Sequence, residues 1–154
     1  MNPMNNLSYL LQHTATILYR QSDQVMQERL GIGMSQFKIL MHLHEKPNVQ
    51  QRMLADLLGQ TEASISRQIK ILTEKGMLTA EVNPENKREH ITTLTPRGVR
   101  LTRAAQDMLE EYQRPSFEQL SEKEREQFME MLHKVHVSVC GPRKPITCDQ
   151  PFNF

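Results

Sequence analysis

Tryptophan is absent from this sequence of 154 residues, and aromatic side chains make up only 5% of it. That scarcity argues against a β-sandwich, whose cores lean on aromatic and β-branched residues, and favours helices packed through Leu, Ile, Met and Val. Cysteine is nearly as scarce: Cys140 and Cys148 both lie close to the C-terminal end, too few and too local for a disulfide framework. No apolar run approaches the roughly eighteen residues of a membrane span. The opening MNPMNNLSYL has no basic segment followed by an apolar one, so no signal peptide is expected and a cytoplasmic location is. The fingerprints G-x-S-x-G, H-E-x-x-H, the P-loop and the dinucleotide glycine motif are all missing, and the lone GIG at 31–33 reads as a helix stop. Neither enzymatic activity nor a cofactor is therefore expected. Strong basicity is lacking too, since the formal net charge is +1; any nucleic-acid surface must come from local clustering.

What is present is helical periodicity. The length suits a single domain over 1–154 with a real core. From Leu7 to Leu30, the residues Leu7, Leu11, Leu18 and Val25, flanked by Leu10, Ile17 and Met26, recur at helical spacing without a proline. Gly31 and Gly33 end that helix, Ser35 is the expected N-cap of the next, FKILMHLHE, and Pro47 breaks the second. Two short helical segments follow, QRMLADLLG and EASISRQIKILTEKG, joined at Gly59-Gln60-Thr61. A short helix, a glycine turn and a second helix form a helix-turn-helix, with Thr61 as cap and Gly76 as stop.

Leu78, Ala80 and Val82 then alternate with Thr79 and Glu81, as in a half-buried strand, and HITTL pairs back after NPENKREH at 83–90. That polar link is longer than a tight hairpin needs and lacks glycine, so it does more than close a turn. Thr95 and Pro96 start a helix bearing Leu101, Ala105, Met108 and Tyr112 on one stripe and ending before Pro115. Ser121 and Glu124 form a capping box for a last helix, on which Phe128, Leu132, Val135 and Val139 share a face. The tail 141–154, with three prolines, is expected to hold little regular structure.

The helix over 62–75 carries the chemistry. At roughly 100° per residue, Ile65, Ile69 and Leu72 fall together and must face the core. Opposite them lie Gln60, Ala63, Arg67, Lys70 and Glu74, flanked by Ser64, Ile71 and Ser66. Short hydroxyls and amides near the helix start, with cations further along, suit a major groove that offers donors and acceptors to be read. The candidate DNA-binding residues are Gln60, Thr61, Ser64, Ser66, Arg67, Gln68 and Lys70 on the helix, with Lys87 and Arg88 on the polar link. A helix-turn-helix that runs into a hairpin with a polar tip is a winged helix-turn-helix. The fold class expected is thus mainly α with a small β-hairpin.

LADLLGQTEASISRQIKILTEKGMLTAEVNPENKREHITTLTPRG resembles the core of the MarR family of bacterial transcription regulators. It holds in order the helix-turn-helix, Ser66-Arg67 in the recognition helix, LTEKG at 72–76, the wing, and LTPRG at 94–98, and the likeness runs over roughly residues 7–140. The resemblance implies a homodimer, built by the first and last helices, on a pseudo-palindromic double-stranded operator, more often as a repressor released by a ligand. The winged lobe is then about 35–98 and the dimerisation helices about 7–30 and 121–139. Both of those helices are apolar along a stripe and remote in sequence from the winged lobe, so pairing across a two-fold axis is an economical way to bury them. In this family the wing usually carries Asp-x-Arg, the Arg entering the minor groove and the Asp holding it. Here the stretch is Asn86-Lys87-Arg88, so Arg88 matches and an amide replaces the acid, a weaker acceptor that leaves the wing more positive.

Many members of the family respond to small aromatic or phenolic molecules. His13, Ile17 and Arg20 on the first helix, with Phe37 and Met41 on the second, are the candidates to line such a pocket, which ten methionines would make adaptable. Two further responses stay open. His133, His136 and Cys140, three and four apart, share a helix face that supplies three metal ligands without an evident fourth, and solvated histidines are the simpler reading. Cys140 and Cys148 flank GPRKPIT, where Arg143 and Lys144 favour a thiolate. A winged helix that binds protein without DNA is the remaining alternative. The clustering of Arg67, Lys70, Lys87 and Arg88 argues against it, because phosphate contact needs those cations together and a protein interface does not.

Overall fold

The chain runs through α1 (Leu7–Leu30), α2 (Met34–Glu45), α3 (Gln51–Leu58), α4 (Glu62–Glu74), β1 (Leu78–Val82), β2 (His90–Leu94), α5 (Pro96–Phe117) and α6 (Glu122–Cys140). This computed structural model describes residues 5–86 and 90–140. The expectations for Lys87, Arg88 and the tail 141–154 lie outside the described residues.

Local chemistry sets most boundaries. Asn6 caps α1 by accepting from the Tyr9 amide, and Gly31 ends it in the left-handed region at φ 67°, a conformation that costs a residue with a Cβ. Both helices of the helix-turn-helix end alike. After α3, Gln60 N–H donates to Ala55 O and Gly59 N–H to Asp56 O; after α4, Met77 N–H donates to Leu72 O and Gly76 N–H to Thr73 O. In each pair a glycine at positive φ lets the chain reverse and satisfy the last carbonyls. Thr95 accepts from the Gly98 amide to start α5. At α6 the Ser121 amide and hydroxyl both donate to Glu124 Oε2, at 2.8 and 2.7 Å. Those bonds, the hydroxyl's first, hold the Glu124 carboxyl below the usual carboxylate range.

The core is organised around α2, which packs on α1, α3, α4, α5 and β2. Ile39, Leu40 and Leu43 of α2 meet Leu54, Ile65, Leu72, Leu78 and Ala105, all buried. Each such Leu or Ile side chain contributes about 1.5–3 kcal/mol by leaving water. Ser22 is also buried, and its hydroxyl accepts from Gln113 of α5 at 2.8 Å, tying the middle of the first helix to the fifth. The hairpin pairs antiparallel from Leu78↔Leu94 to Val82↔His90.

Four expectations need correction. Gly33, not Ser35, is the N-cap of α2; Asp23 of α1 accepts the Met34 amide from eleven residues away and replaces a local cap. The alternation in β1 does not become a buried face, because only Leu78 is buried and Val82 is 53% exposed; the strand leaves the body after its first residue. Helix α5 does not stop at Pro115 but continues to Phe117. Proline's fixed φ is helical, and although it lacks an amide to donate and its ring crowds the carbonyl four residues back, the ladder resumes with Glu118 N–H donating to Arg114 O. Finally, Tyr112 is exposed rather than packed on the α5 stripe, whose buried members are Gly98, Thr102, Ala105 and Leu109.

Among the described residues, the first and last helices carry exposed apolar side chains. Leu7, Leu10 and Leu11 of α1 are exposed, as are Phe128, Met131, Val135 and Val139 of α6. Among the described residues, α6 makes at most marginal contact with any other element. Among the described residues, no helix is long and apolar enough to cross a membrane.

Candidate nucleic-acid interface

Recognition begins with how α4 is held. Its N-terminus is fixed by Thr61, whose hydroxyl accepts from the Ser64 amide at 3.1 Å. Ile65, Ile69 and Leu72 are buried against α2 and α3, as the sequence pattern requires. That leaves the opposite face outward by geometry alone. Ala63, Ser66, Arg67 and Lys70 are exposed along it, and neither Arg67 nor Lys70 is held by an ion pair to a described residue. Two cations one helical turn apart, with small side chains between them and the helix start, give a convex positive ridge suited to a groove.

The remaining candidates on this helix do a different job in the folded chain. Gln60 Nε2 donates to Ser35 Oγ at 2.7 Å, while its Oε1 accepts from Ser64 Oγ at 3.0 Å. Gln68 Oε1 accepts from Gln36 Nε2 at 3.0 Å. Gln60, Ser64 and Gln68 are thus partly buried and tied to α2 or to one another, Thr61 is engaged as the cap of α4, and Ser66, Arg67 and Lys70 stay exposed. Sequence reasoning missed Ser35 and Gln36 as partners of α4, because a pairing over 25 or 32 residues leaves no local signal.

The wing grows from the base of this unit. Thr95 Oγ1 donates to the carbonyl oxygens of Gly76 and Met77, at 2.8 and 3.2 Å, fastening the foot of the hairpin to the start of α5. A cross-strand pair of hydroxyls, Thr79 and Thr93 at 2.8 Å, holds the strands in register. At the tip, Glu85 N–H donates to Asn83 Oδ1 at 3.0 Å. This Asx turn, signalled by Asn-Pro at 83–84, shapes the entry to the polar stretch. Asn86 is exposed; its expected partner Arg88 lies outside the described residues.

The candidate effector residues differ in their exposure. His13 stacks on Tyr9, ring centroids 5.7 Å apart, on the exposed part of α1. Ile17 is half-buried and Arg20 exposed. Phe37 belongs to the buried core and Met41 packs against it. A cleft of about 420 Å³ lies elsewhere, between the α1–α2 junction and α4, with Asp23, Ser35, Gln36, Gln68 and Lys75 among its lining. His133 and His136 of the metal alternative are exposed on α6.

The model of the MarR family matches residues 32–90, from the α1–α2 link through the start of β2. The transcriptional regulator HosA of Escherichia coli O111:H- is 23% identical over 124 residues, which is 80% of this chain and 92% of the relative. A MarR/EmrR family transcriptional regulator from Acinetobacter sp. ADP1 superposes with a TM-score of 0.76 at 26% identity, covering 91% of this chain and 99% of its own. The Staphylococcus aureus MepR–DNA complex gives a TM-score of 0.71 at 26% identity, covering 90% of this chain and 99% of that one.

Proposed function

This chain belongs to the MarR family of winged helix-turn-helix transcription regulators, and from that premise we propose that it acts as a homodimeric repressor that an effector releases from its operator. The observation that carries the DNA-binding part is the ridge of α4. Its apolar side is locked in the core and its outer side presents Ser66, Arg67 and Lys70 with no ion pair to a described residue. In this reading α4 enters the major groove, Arg67 reaches a guanine edge, Lys70 meets phosphate, and the wing brings Lys87 and Arg88 to the flanking backbone. A similar chain, MepR, has been solved bound to DNA, which supports the assignment.

The dimer rests on the uncovered apolar residues of α1 and α6, since a 19-residue helix with so little intrachain packing gains most by pairing with a second copy. The effector would be a small aromatic or phenolic molecule, with His13, Ile17 and Arg20 of α1 and Phe37 and Met41 of α2 as its candidate contacts.

Arg67→Ala is the discriminating experiment. On a duplex that the parent chain selects from a randomised pool, it should cost about 1–3 kcal/mol of binding, the value of a bidentate base contact, with a smaller loss on scrambled duplex. A uniform loss on both would make Arg67 a phosphate contact, and no loss on either would remove α4 from the interface.

A further inference from the structure

Residues 31–36, which link α1 to α2 and begin α2, touch the recognition helix and its flanks at three separated points. Ser35 Oγ accepts from Gln60 just before α4 at 2.7 Å. Gln36 donates to Gln68 in its middle at 3.0 Å. Lys75 Nζ, just past its end, donates to the Gly31 carbonyl at 2.7 Å. From Gln60 to Lys75 is roughly 22 Å at helical rise, so the bonds hold α4 along its whole length. The link is itself fixed to α1: Asp23 Oδ1 accepts the Met34 amide at 2.7 Å, and Asp23 Oδ2 accepts from Gln27 at 2.7 Å.

Packing is only part of the hold on that flank. Ile32 of the link joins Ile65, Ile69 and Leu72 in the buried core and Met34 packs against it, whereas the cleft of about 420 Å³ between the link and α4 is lined by polar side chains and glycines. On the core side, Ile65, Ile69 and Leu72 resist separation of α4 from the body, but hydrophobic burial is non-directional and does not by itself fix the last degrees of roll. Hydrogen bonds are directional, and the amide pair is partly shielded from competing water.

We propose that Ser35, Gln36 and Lys75 are positioning residues for DNA recognition, fixing the roll of α4 about its own axis relative to the end of α1. The inference rests on the reading that α4 enters the major groove and that α1 helps to form the dimer. Under that reading the bracket sets the distance and facing of the two recognition helices, and so the half-site spacing the protein accepts.

The probes are a duplex selected by the parent chain from a randomised pool, the same duplex with one base pair inserted or removed between its half-sites, and a scrambled duplex. Gln36→Leu removes the bond to Gln68 while keeping similar bulk. It should weaken binding to the selected duplex about fivefold, the worth of one net hydrogen bond. It should also narrow the gap between the selected and respaced duplexes and leave scrambled binding unchanged. Gln36→Glu should restore the parent profile, because its carboxylate accepts from the Gln68 amide once that amide turns over. Ser35→Ala, which removes only a hydroxyl, should act in the same direction as Gln36→Leu and decides the matter if that variant does not fold. A folded Gln36→Leu chain with the parent's affinity and spacing profile, or with equal losses on all duplexes, overturns the proposal. A parent chain that enriches no duplex overturns the DNA-binding reading itself and the bracket's role with it.

Discussion

Gly98 of α5 lies so close to Met77 that a Cβ on Gly98 would overlap the Met77 carbonyl oxygen. The same oxygen accepts from the Thr95 amide at 3.0 Å and from its hydroxyl at 3.2 Å. The foot of the wing and the first turn of α5 are therefore joined backbone to backbone, with no side chain between them to yield.

Gly98→Ala should accordingly be among the more damaging single-atom changes in the chain. An overpacked contact of this kind costs about 1–3 kcal/mol, and thermal unfolding should fall by roughly 2–4 °C for each kcal/mol. A melting temperature equal to the parent's would mean that the two segments part easily, and the wing would not be anchored as described.

His42 makes stability depend on pH. It is half-buried on α2, and burial first, then the cations Lys38 and Lys46, lower its pKa below the ordinary 6.5. As pH falls below about 6.5 the unfolded chain takes up a proton that the folded chain resists. The stability due to neutral His42 is thus present above that value and is lost as pH falls toward the lower folded-state pKa. Melts at pH near 7.5 and 5.5 should show the parent losing more than His42→Gln over this interval. Equal losses would place the pH dependence on other groups.

The wing is testable through salt. Arg88→Ala should weaken DNA binding and reduce the slope of log affinity against log salt by about 0.9, the value of one phosphate contact. An unchanged slope would remove Arg88 from the backbone contacts. Asn86→Asp supplies the acid usual in the family and should stiffen the wing; identical affinity and wing mobility would show that an amide suffices there.

The sequence made local features legible, because their causes are local. Thr61, Thr95 and Ser121 cap the helices they precede, Gly59 and Gly76 reverse the chain, and Ile65, Ile69 and Leu72 face the core. What it hid were pairings across distance and the consequences of missing neighbours. Asp23 caps α2 from another helix, and Ser35 bonds Gln60 instead of starting α2. Val82 and Tyr112 fit an apolar pattern but meet too little protein to be buried. At the site itself, the exposed cations of α4 followed from periodicity, whereas the bonding of Gln60 and Gln68 into the scaffold did not.

Titration of a labelled duplex, selected by the parent chain from a randomised pool, alongside its scrambled counterpart at fixed salt is the most direct test, with sedimentation giving stoichiometry. Two chains should bind each selected duplex, with a preference over the scrambled one on the order of a thousandfold or more. Equal affinity for the two duplexes, or saturation by a single chain, would contradict this.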